Sequence, residues 1–394
     1  MAAEILANAG AKVSVYERKP SVGRKFLMAG RGGLNLTHSE NIDLFMKRYG
    51  AAEYLLSGPI SNFSPDDLRR WADGLGQKTF VGSSGRVFPE SFKASPLLRA
   101  WLSRLNELGV VIHTGHEWCG WDENDHIVFQ QAGGNTISVP ADAVLLALGG
   151  ASWPRLGSDG GWVEILKTKS VSISPLRPTN CGFIVQWSDV FKNRYPGQPV
   201  KPLVLSCAGK SVKGEMMITG KGVEGGGIYA LSAVLRDEIE RNGHAALTLD
   251  LQPDISLEDL ATRLQKPRKG KSFSNFLQSV AGLSGIATAL LMEAPDRKEL
   301  SQLSALALAK RIKELKLDLP ASFDIDRAIS TAGGIRFESV DGHFMLKNMP
   351  GVFVAGEMLD WEAPTGGYLL QATFSTAVTA AQGILLWLQQ RQSG

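Results

Sequence analysis

Only three cysteines occur in this 394-residue chain, Cys119, Cys181 and Cys207, and they stand far apart with no C-x-x-C pair. That spacing indicates no disulfide framework, thiolate zinc site or dithiol redox couple, and a reducing compartment is expected. The six histidines are scattered, with neither H-x-H nor H-E-x-x-H spacing, so no metal is assigned. Charge of one sign is scarce as well. The formal net charge is +3, and the single basic tract, KPRKGK at 266–271, reads as a solvated loop, which makes nucleic acid an unexpected partner. Residues 272–292 carry no charge, but Ser, Asn and Gln recur through them, which suits a helix buried between domains better than a membrane span. No secretory signal opens the chain, so a cytoplasmic protein without membrane association is expected.

What is present is ordinary in bulk and unusual in one residue. Hydrophobic residues make up 44% and charged residues 21% of the chain, as in soluble globular proteins. The length exceeds the roughly 250–300 residues at which single cores stop growing, so two or more domains are expected. Glycine, at 43 residues, lies above the usual ~7% and falls in clusters such as GRGG, GKGVEGGG and TGG. Clustered glycine supplies tight turns and close backbone approach.

The chain is organised around residues 351–381, GVFVAGEMLDWEAPTGGYLLQATFSTAVTAA. Val352 to Ala355 reads as a short buried strand stopping at Gly356, with Glu357 and Asp360 at its carboxyl end, where ligands sit in open α/β sheets. Gly366 and Gly367 then let the backbone come close to a ligand. From Tyr368 to Leu388 there is no charge, so this stretch reads as a buried helix whose first amides suit an electron-rich group. Carboxylates for hydroxyls followed by free amides for an oxidisable ring match the ribityl chain and pyrimidine edge of FAD. The same pattern also fits a plain strand, loop and packing helix.

At the start, residues 1–9 read as a helix, Gly10 as its C-cap and residues 12–16 as a strand ending at Glu17. This is the second half of a dinucleotide-binding βαβ unit, with the acid placed for the adenosine ribose. That acid should follow a G-x-G-x-x-G by about 20 residues. The spacing predicts a natural reading frame that begins some 15–20 residues upstream. Beyond Glu17, Arg18 and Lys19, the loop PSVGRKFLMAGRGGLNLTH gathers Arg24, Lys25 and Arg31 among glycines, with Asn35 and Thr37 as uncharged donors. Such a loop fits a pyrophosphate and a flavin edge, or is simply exposed.

Residues 40–108 are expected to be helical pieces with a turn at 82–91, followed by an antiparallel excursion through Trp118 to Val139. Residues 142–154 give an apolar strand of the doubly covered parallel kind, ended by Gly149 and Gly150, over which a cofactor could pass. The loop 152–162 is either a cofactor or substrate contact or a plain connection. At Pro175 the texture changes to short, proline-punctuated strands, and residues 255–317 read as helical. Gly220, Gly222 and Gly225 spell G-x-G-x-x-G, but the segment before them is polar and hairpin-like, and Asp250 follows too late for a second nucleotide site. Strands resume at 324–330. The expected domains are 1–174 and 324–394 for a Rossmann-like body, 175–252 for an inserted β domain and 253–323 for a helical subdomain.

The ordered set ERK (17–19), GRGGLNLTH (30–38), ALGG (147–150), TAGGI (331–335) and AGEMLD…TGGYLLQAT (355–373) resembles the YhiN-like flavoproteins. These are also described as BaiN-like or aminoacetone-oxidase-family NAD(P)/FAD-dependent oxidoreductases. The resemblance covers essentially the whole chain. It implies an α/β fold: a discontinuous glutathione-reductase-like, Rossmann-type FAD domain with an inserted β-barrel-like domain and a helical subdomain, the inserted part free to close over the flavin. By that resemblance Glu17 holds the adenosine ribose, and the backbone around Trp118 lies near adenine. Arg31, Asn35 and Thr37 line the pyrophosphate and flavin side, with Arg18 and Lys25 beside them. Gly356, Glu357 and Asp360 hold the ribityl-pyrophosphate part, and the amides from Gly367 through Tyr368 to Leu369 face the pyrimidine ring. The family usually reads GRCN where this chain has GRGGLN, which excludes a cysteine-dependent role there.

The expected function is FAD-dependent hydride transfer between flavin and a small organic substrate or NAD(P)H. The alternatives are a non-catalytic flavin-binding protein or a form unable to bind FAD. No catalytic acid or base is assigned.

Overall fold

The computed structural model describes residues 1–30, 32–293 and 299–393. They form two compact units, one of Met1–Arg177 with Ser330–Gly394, the other of Pro178–Ile329.

The first unit is built on short parallel strands. Ser14–Glu17 pairs in parallel with Val111–Thr114, from Ser14↔Val111 to Glu17↔Thr114, after a long connection of helices and three short strands. Val144–Leu146 pairs in parallel with Val352–Val354, which is buried throughout and bridged on its far side by Met345. Among the described residues the other edges of Ser14–Glu17 and Val144–Leu146 carry no further strand. The helix Tyr368–Ser393 lies in the core of this unit, with Ala372, Thr376, Ala380 and Ala381 fully buried. It can approach the sheet closely because residue 383 is glycine: a Cβ there would lie 2.4 Å from the His343 Cβ and 2.9 Å from the Phe353 ring. One described helix, Tyr368–Gln392, is long and apolar enough to cross a membrane, and most of it is buried within this unit.

Ala2–Asn8 is a short helix held by a buried acid. The indole N–H groups of Trp71 and Trp101 donate to Glu4 Oε2 at 3.0 and 2.8 Å, and Arg104 donates to Oε1 at 2.9 Å. These bonds tie it to Pro65–Gly74 and Ala94–Glu107. Residues 40–108 are not only helical. Arg86–Pro89 is a strand between Thr37–His38 and Thr79–Val81, in a three-stranded antiparallel sheet. Its alternation of Val87 and Pro89 inward covers just four residues, too few to stand out beside the glycines that turn the hairpin. A second antiparallel meander joins His116–Trp121, Ile127–Gln131 and Thr136–Val139.

In the second unit six antiparallel strands run in the order Phe183–Ile184, Gly222–Glu224, Lys210–Ile218, Pro199–Cys207, Ala245–Asp250, Leu315–Leu319. Just past the last strand, Ala321 accepts from the Ile184 N–H and the Phe323 N–H donates to Gly182, so the ring of strands closes. Strands and helices of this unit share one core, from Cys181 to Ala328. Three local expectations fail here and at its border. Leu315–Leu319 is a strand rather than a helix end, because Leu315, Leu317 and Leu319 are buried while Lys316 and Asp318 face water, a period of two. Residues 272–292 are broken rather than continuous: Gly282 turns left-handed at φ 72°, and the Ser284 hydroxyl caps the new helix Gly285–Met292 at the Ala287 N–H. Residues 324–330 form a single turn, Ile325–Arg327, before the strand Ser330–Ile335 begins. The strand leading into GKGVEG is antiparallel to Pro199–Cys207, a hairpin and not a βαβ.

Candidate functional site

The strand Val352–Val354 ends at Gly356, where φ is +70° and the backbone is pinned from both sides. The Gly356 N–H donates to the Thr376 hydroxyl at 3.0 Å, and its carbonyl accepts from the Trp361 indole at 2.9 Å. This turn projects Glu357 into a ring of donors. Oε1 accepts from the Thr331 N–H at 2.9 Å; Oε2 accepts from Lys25 Nζ at 2.6 Å and from the Gly150 N–H at 3.3 Å. Lys25 also donates to the Ser152 hydroxyl at 2.8 Å. Lys25, Gly150 and Glu357, far apart in sequence, thus meet at the ends of strands Val144–Leu146 and Val352–Val354.

Glu17 stands at the end of its own strand, its Oε1 accepting from the Lys19 N–H at 2.8 Å. Arg18 beside it bonds Asp159 at 2.7 Å and Glu117 at 3.2 Å through one guanidinium nitrogen. Burial pushes the Asp159 carboxyl up, but the Gly161 N–H and Arg18 outweigh it and hold the group below its usual range. Trp118, on the neighbouring meander, packs edge-on against Trp121 with centroids 5.0 Å apart.

The third group forms where Thr37–His38 meets the start of Tyr368–Ser393. A Cβ on Gly367 would lie 2.5 Å from the Thr37 backbone, so glycine there serves contact between two chain segments. Gly150 serves the same end, since a Cβ on it would fall 2.3 Å from Thr331 Oγ1. The close approach expected from these glycines is therefore first of all between elements. Gly366 is left-handed at φ +133° and Gly149 at φ +75°, the latter facing Ser158 and the Glu357 carboxylate. The first helical bond at this terminus runs from the Gln371 N–H to Gly367, which leaves the amides of Tyr368 and Leu369 at the open end of the helix.

Not every expected residue joins these groups. The Asp360 carboxylate is taken up by the Ser174 hydroxyl. Tyr368, expected to contribute its amide, turns its phenol away to Glu40. Arg31 lies outside the described residues.

A test of whether these residues suit a ligand comes from buried polar atoms without a partner. In this unit they include Arg18 Nε, Asn35 Oδ1, Thr37 Oγ1, Trp118 Nε1 and Ser158 Oγ. An unpaired buried polar atom costs ~1–3 kcal/mol, and native structures keep few of them. Arg18, Trp118, Asn35 and Thr37 are among the residues expected to face a dinucleotide, and they leave two N–H donors, an amide oxygen and a hydroxyl without a partner; Ser158 beside Gly149 adds a second hydroxyl. That chemistry fits FAD. Ser152 and Ser158 lie in the loop 152–162 that the sequence left open between a contact and a plain connection, and Thr331 opens the TAGGI motif; none of the three was singled out as a site residue. A serine in a glycine-rich loop gives no signal of burial.

Residues 1–383 match the HI0933-like protein Rossmann domain. The chain belongs to this family. It is a flavoprotein family, and the YhiN-like resemblance points to the same group. Among curated proteins the chain is 24% identical over 384 residues to the 3-dehydro-bile acid delta(4,6)-reductase of Clostridium scindens, covering 94% of this chain and 92% of that one. It is 20% identical over 386 residues to the ribosomal RNA dihydrouridine synthase of Haemophilus influenzae, covering 96% and 94%. Among solved structures it is similar in fold to the 3-ketosteroid delta1-dehydrogenase of Sterolibacterium denitrificans, with a TM-score of 0.53 at 12% identity over 98% of this chain and 97% of that one. The open conformation of a flavocytochrome c3 fumarate reductase gives 0.51 at 13%, covering 98% and 76%.

Proposed function

We propose that the protein is an FAD-dependent oxidoreductase that moves a hydride between the flavin and a small organic substrate, with NAD(P)H as a transient electron donor. The observation that carries this reading is the set of unpaired buried polar atoms on Arg18, Asn35, Thr37, Trp118 and Ser158. FAD would supply the hydride chemistry, and the protein orientation and electrostatics. Glu17 would take the adenosine ribose, Arg18 and Trp118 the neighbouring polar edges, Glu357 with Lys25 the ribityl hydroxyls, and Asn35, Thr37 and the first helix amides the flavin ring.

The reaction class we favour is reduction of a carbon–carbon double bond conjugated to a carbonyl. The names of the two relatives given above are consistent with that outcome, a delta(4,6)-reductase of a 3-dehydro-bile acid in one and a dihydrouridine synthase of ribosomal RNA in the other. The substrate of this chain is left at that chemical class.

The test is the visible spectrum of the purified protein, with and without added FAD, followed by anaerobic NADH or NADPH. A yellow protein that bleaches with either nucleotide and recolours with a conjugated enone supports the reading. A yellow protein that neither donor reduces is a flavin-binding protein without this activity. A preparation that stays colourless with excess FAD ends the proposal.

A further inference from the structure

The loop between Ser152 and Trp162 touches both ends of the candidate site. At one end, a Cβ on Gly157 would lie 3.5 Å from the Lys19 side chain and 3.8 Å from Glu17 Oε1, and Arg18 bonds Asp159. At the other, the Ser158 hydroxyl lies 3.0 Å from where a Cβ on Gly149 would stand, and that same point is 3.9 Å from Glu357 Oε2. In a flavin dinucleotide the group joining adenosine to the ribityl chain is the diphosphate. A loop that spans the two ends must therefore run along it.

Two polar atoms on this path have no partner. Ser158 is only 5% exposed, yet its Oγ makes no hydrogen bond; Arg18 Nε is likewise buried and unpaired, although the same guanidinium is held by Asp159 and Glu117. A hydroxyl donor and a guanidinium donor, both buried and unsatisfied, have the chemistry of an anion site. Building on the FAD reading above, we infer that Ser158 and Arg18 hold the cofactor's diphosphate, the Ser158 hydroxyl donating to one phosphoryl oxygen and Arg18 Nε–H to another. Asp159 and Glu117 are positioning residues that fix the guanidinium and do not touch the ligand. The loop is thus a phosphate-binding element supplied from the chain after strand Val144–Leu146, apart from any glycine fingerprint before Ser14.

The experiment compares binding of FAD, ADP and riboflavin to the full chain and to Ser158→Ala, by flavin fluorescence and calorimetry, with melting curves as the control for folding. ADP carries the diphosphate without the flavin, and riboflavin the flavin without the diphosphate. Ser158→Ala should weaken FAD and ADP roughly tenfold, the effect of one charge-assisted hydrogen bond, and leave riboflavin unchanged. Ser158→Cys, nearly the same size with a weak donor, should show the same selective loss and guards against a packing defect. Arg18→Lys should weaken ADP as well. Wild-type affinity for FAD and ADP in both Ser158 variants overturns the inference while the FAD reading stands. An equal loss for riboflavin overturns it too, because the residue would then act on the fold or on the flavin. A wild-type chain that binds none of the three ligands takes down both this inference and the reading beneath it.

Discussion

Tyr368 closes a small circuit of charge at the start of the last helix. Its phenol donates to Glu40, which also accepts from Arg48 at 3.0 and 2.7 Å, while the Tyr49 hydroxyl donates to the Tyr368 carbonyl at 2.8 Å. Hydrogen bonding from Arg48, with help from Tyr368, holds the Glu40 carboxyl below its usual range. Burial first, and then the bond to Glu40, pushes the Tyr368 phenol up. A depressed carboxyl stabilises the fold above the unfolded value near ~4.3, and that contribution is lost as pH falls through the folded value. A raised phenol does the reverse: above ~10 the unfolded chain ionises first, so stability falls. Melting temperature measured against pH should therefore drop at both extremes. Glu40→Gln should flatten the acid limb and Tyr368→Phe the alkaline one; unchanged limbs would refute the assignment. Glu357→Ala strands the Thr331 N–H and should lower stability by ~1–3 kcal/mol in urea unfolding. The positions of Glu17 and Glu357 at strand ends were legible in the sequence, because an acid that closes a short strand, directly or after a glycine, is a local pattern. Their partners were not, since Lys25 and Glu357 come together only through tertiary structure.

Among the elements, the junction of Thr37–His38 with the last helix leaves little room for change. Gly367→Ala would place a methyl 2.5 Å from the Thr37 backbone at a residue whose φ is +98°. Overpacking and a left-handed alanine together should cost roughly 2–4 kcal/mol and weaken flavin binding, because the Thr37 hydroxyl and the helix amides would separate. Wild-type affinity in that variant, measured by flavin fluorescence, would show that the junction does not set the site. Glu4→Leu removes the acceptor for two indoles and Arg104, and a loss near ~3 kcal/mol is expected by denaturant titration. The buried strand Val352–Val354 and the uncharged helix after it could be read from composition alone. Leu315–Leu319 could not, because five residues of period two follow directly on the amphipathic helix Ala305–Lys313, and the change of period is visible only once burial is known. Arg86–Pro89 was hidden by shortness and its proline.

At the scale of the whole molecule, the described residues of Pro178–Ile329 build a core of their own, from Cys181 to Ala328. Residues 178–329 expressed alone should therefore give a cooperative unfolding transition with native-like circular dichroism; a featureless melt would show that the segment depends on its host. The expectation of a host drawn from both ends of the chain rested on the apolar strands read at 142–154 and 352–355, and Val144–Leu146 pairs with Val352–Val354. The closure of the inserted strands into a ring could not be read from the sequence, because Ala321 to Phe323 meets Gly182 to Ile184 across almost the entire insert.

A body made of residues 1–177 and 330–394 also has an order of arrival. At ~5–20 residues per second, the ribosome delivers the whole insert before it delivers Glu357 or the last helix. Residues 178–329 can thus be finished while Val144–Leu146 still waits for its partner, Val352–Val354, and Glu4, Trp71 and Trp101 can lock the first helices early. On the FAD reading, cofactor capture would fall at the end of translation, so nascent chains that have released residue 329 but not residue 350 should carry a folded insert and no flavin, and full-length released chains should carry both.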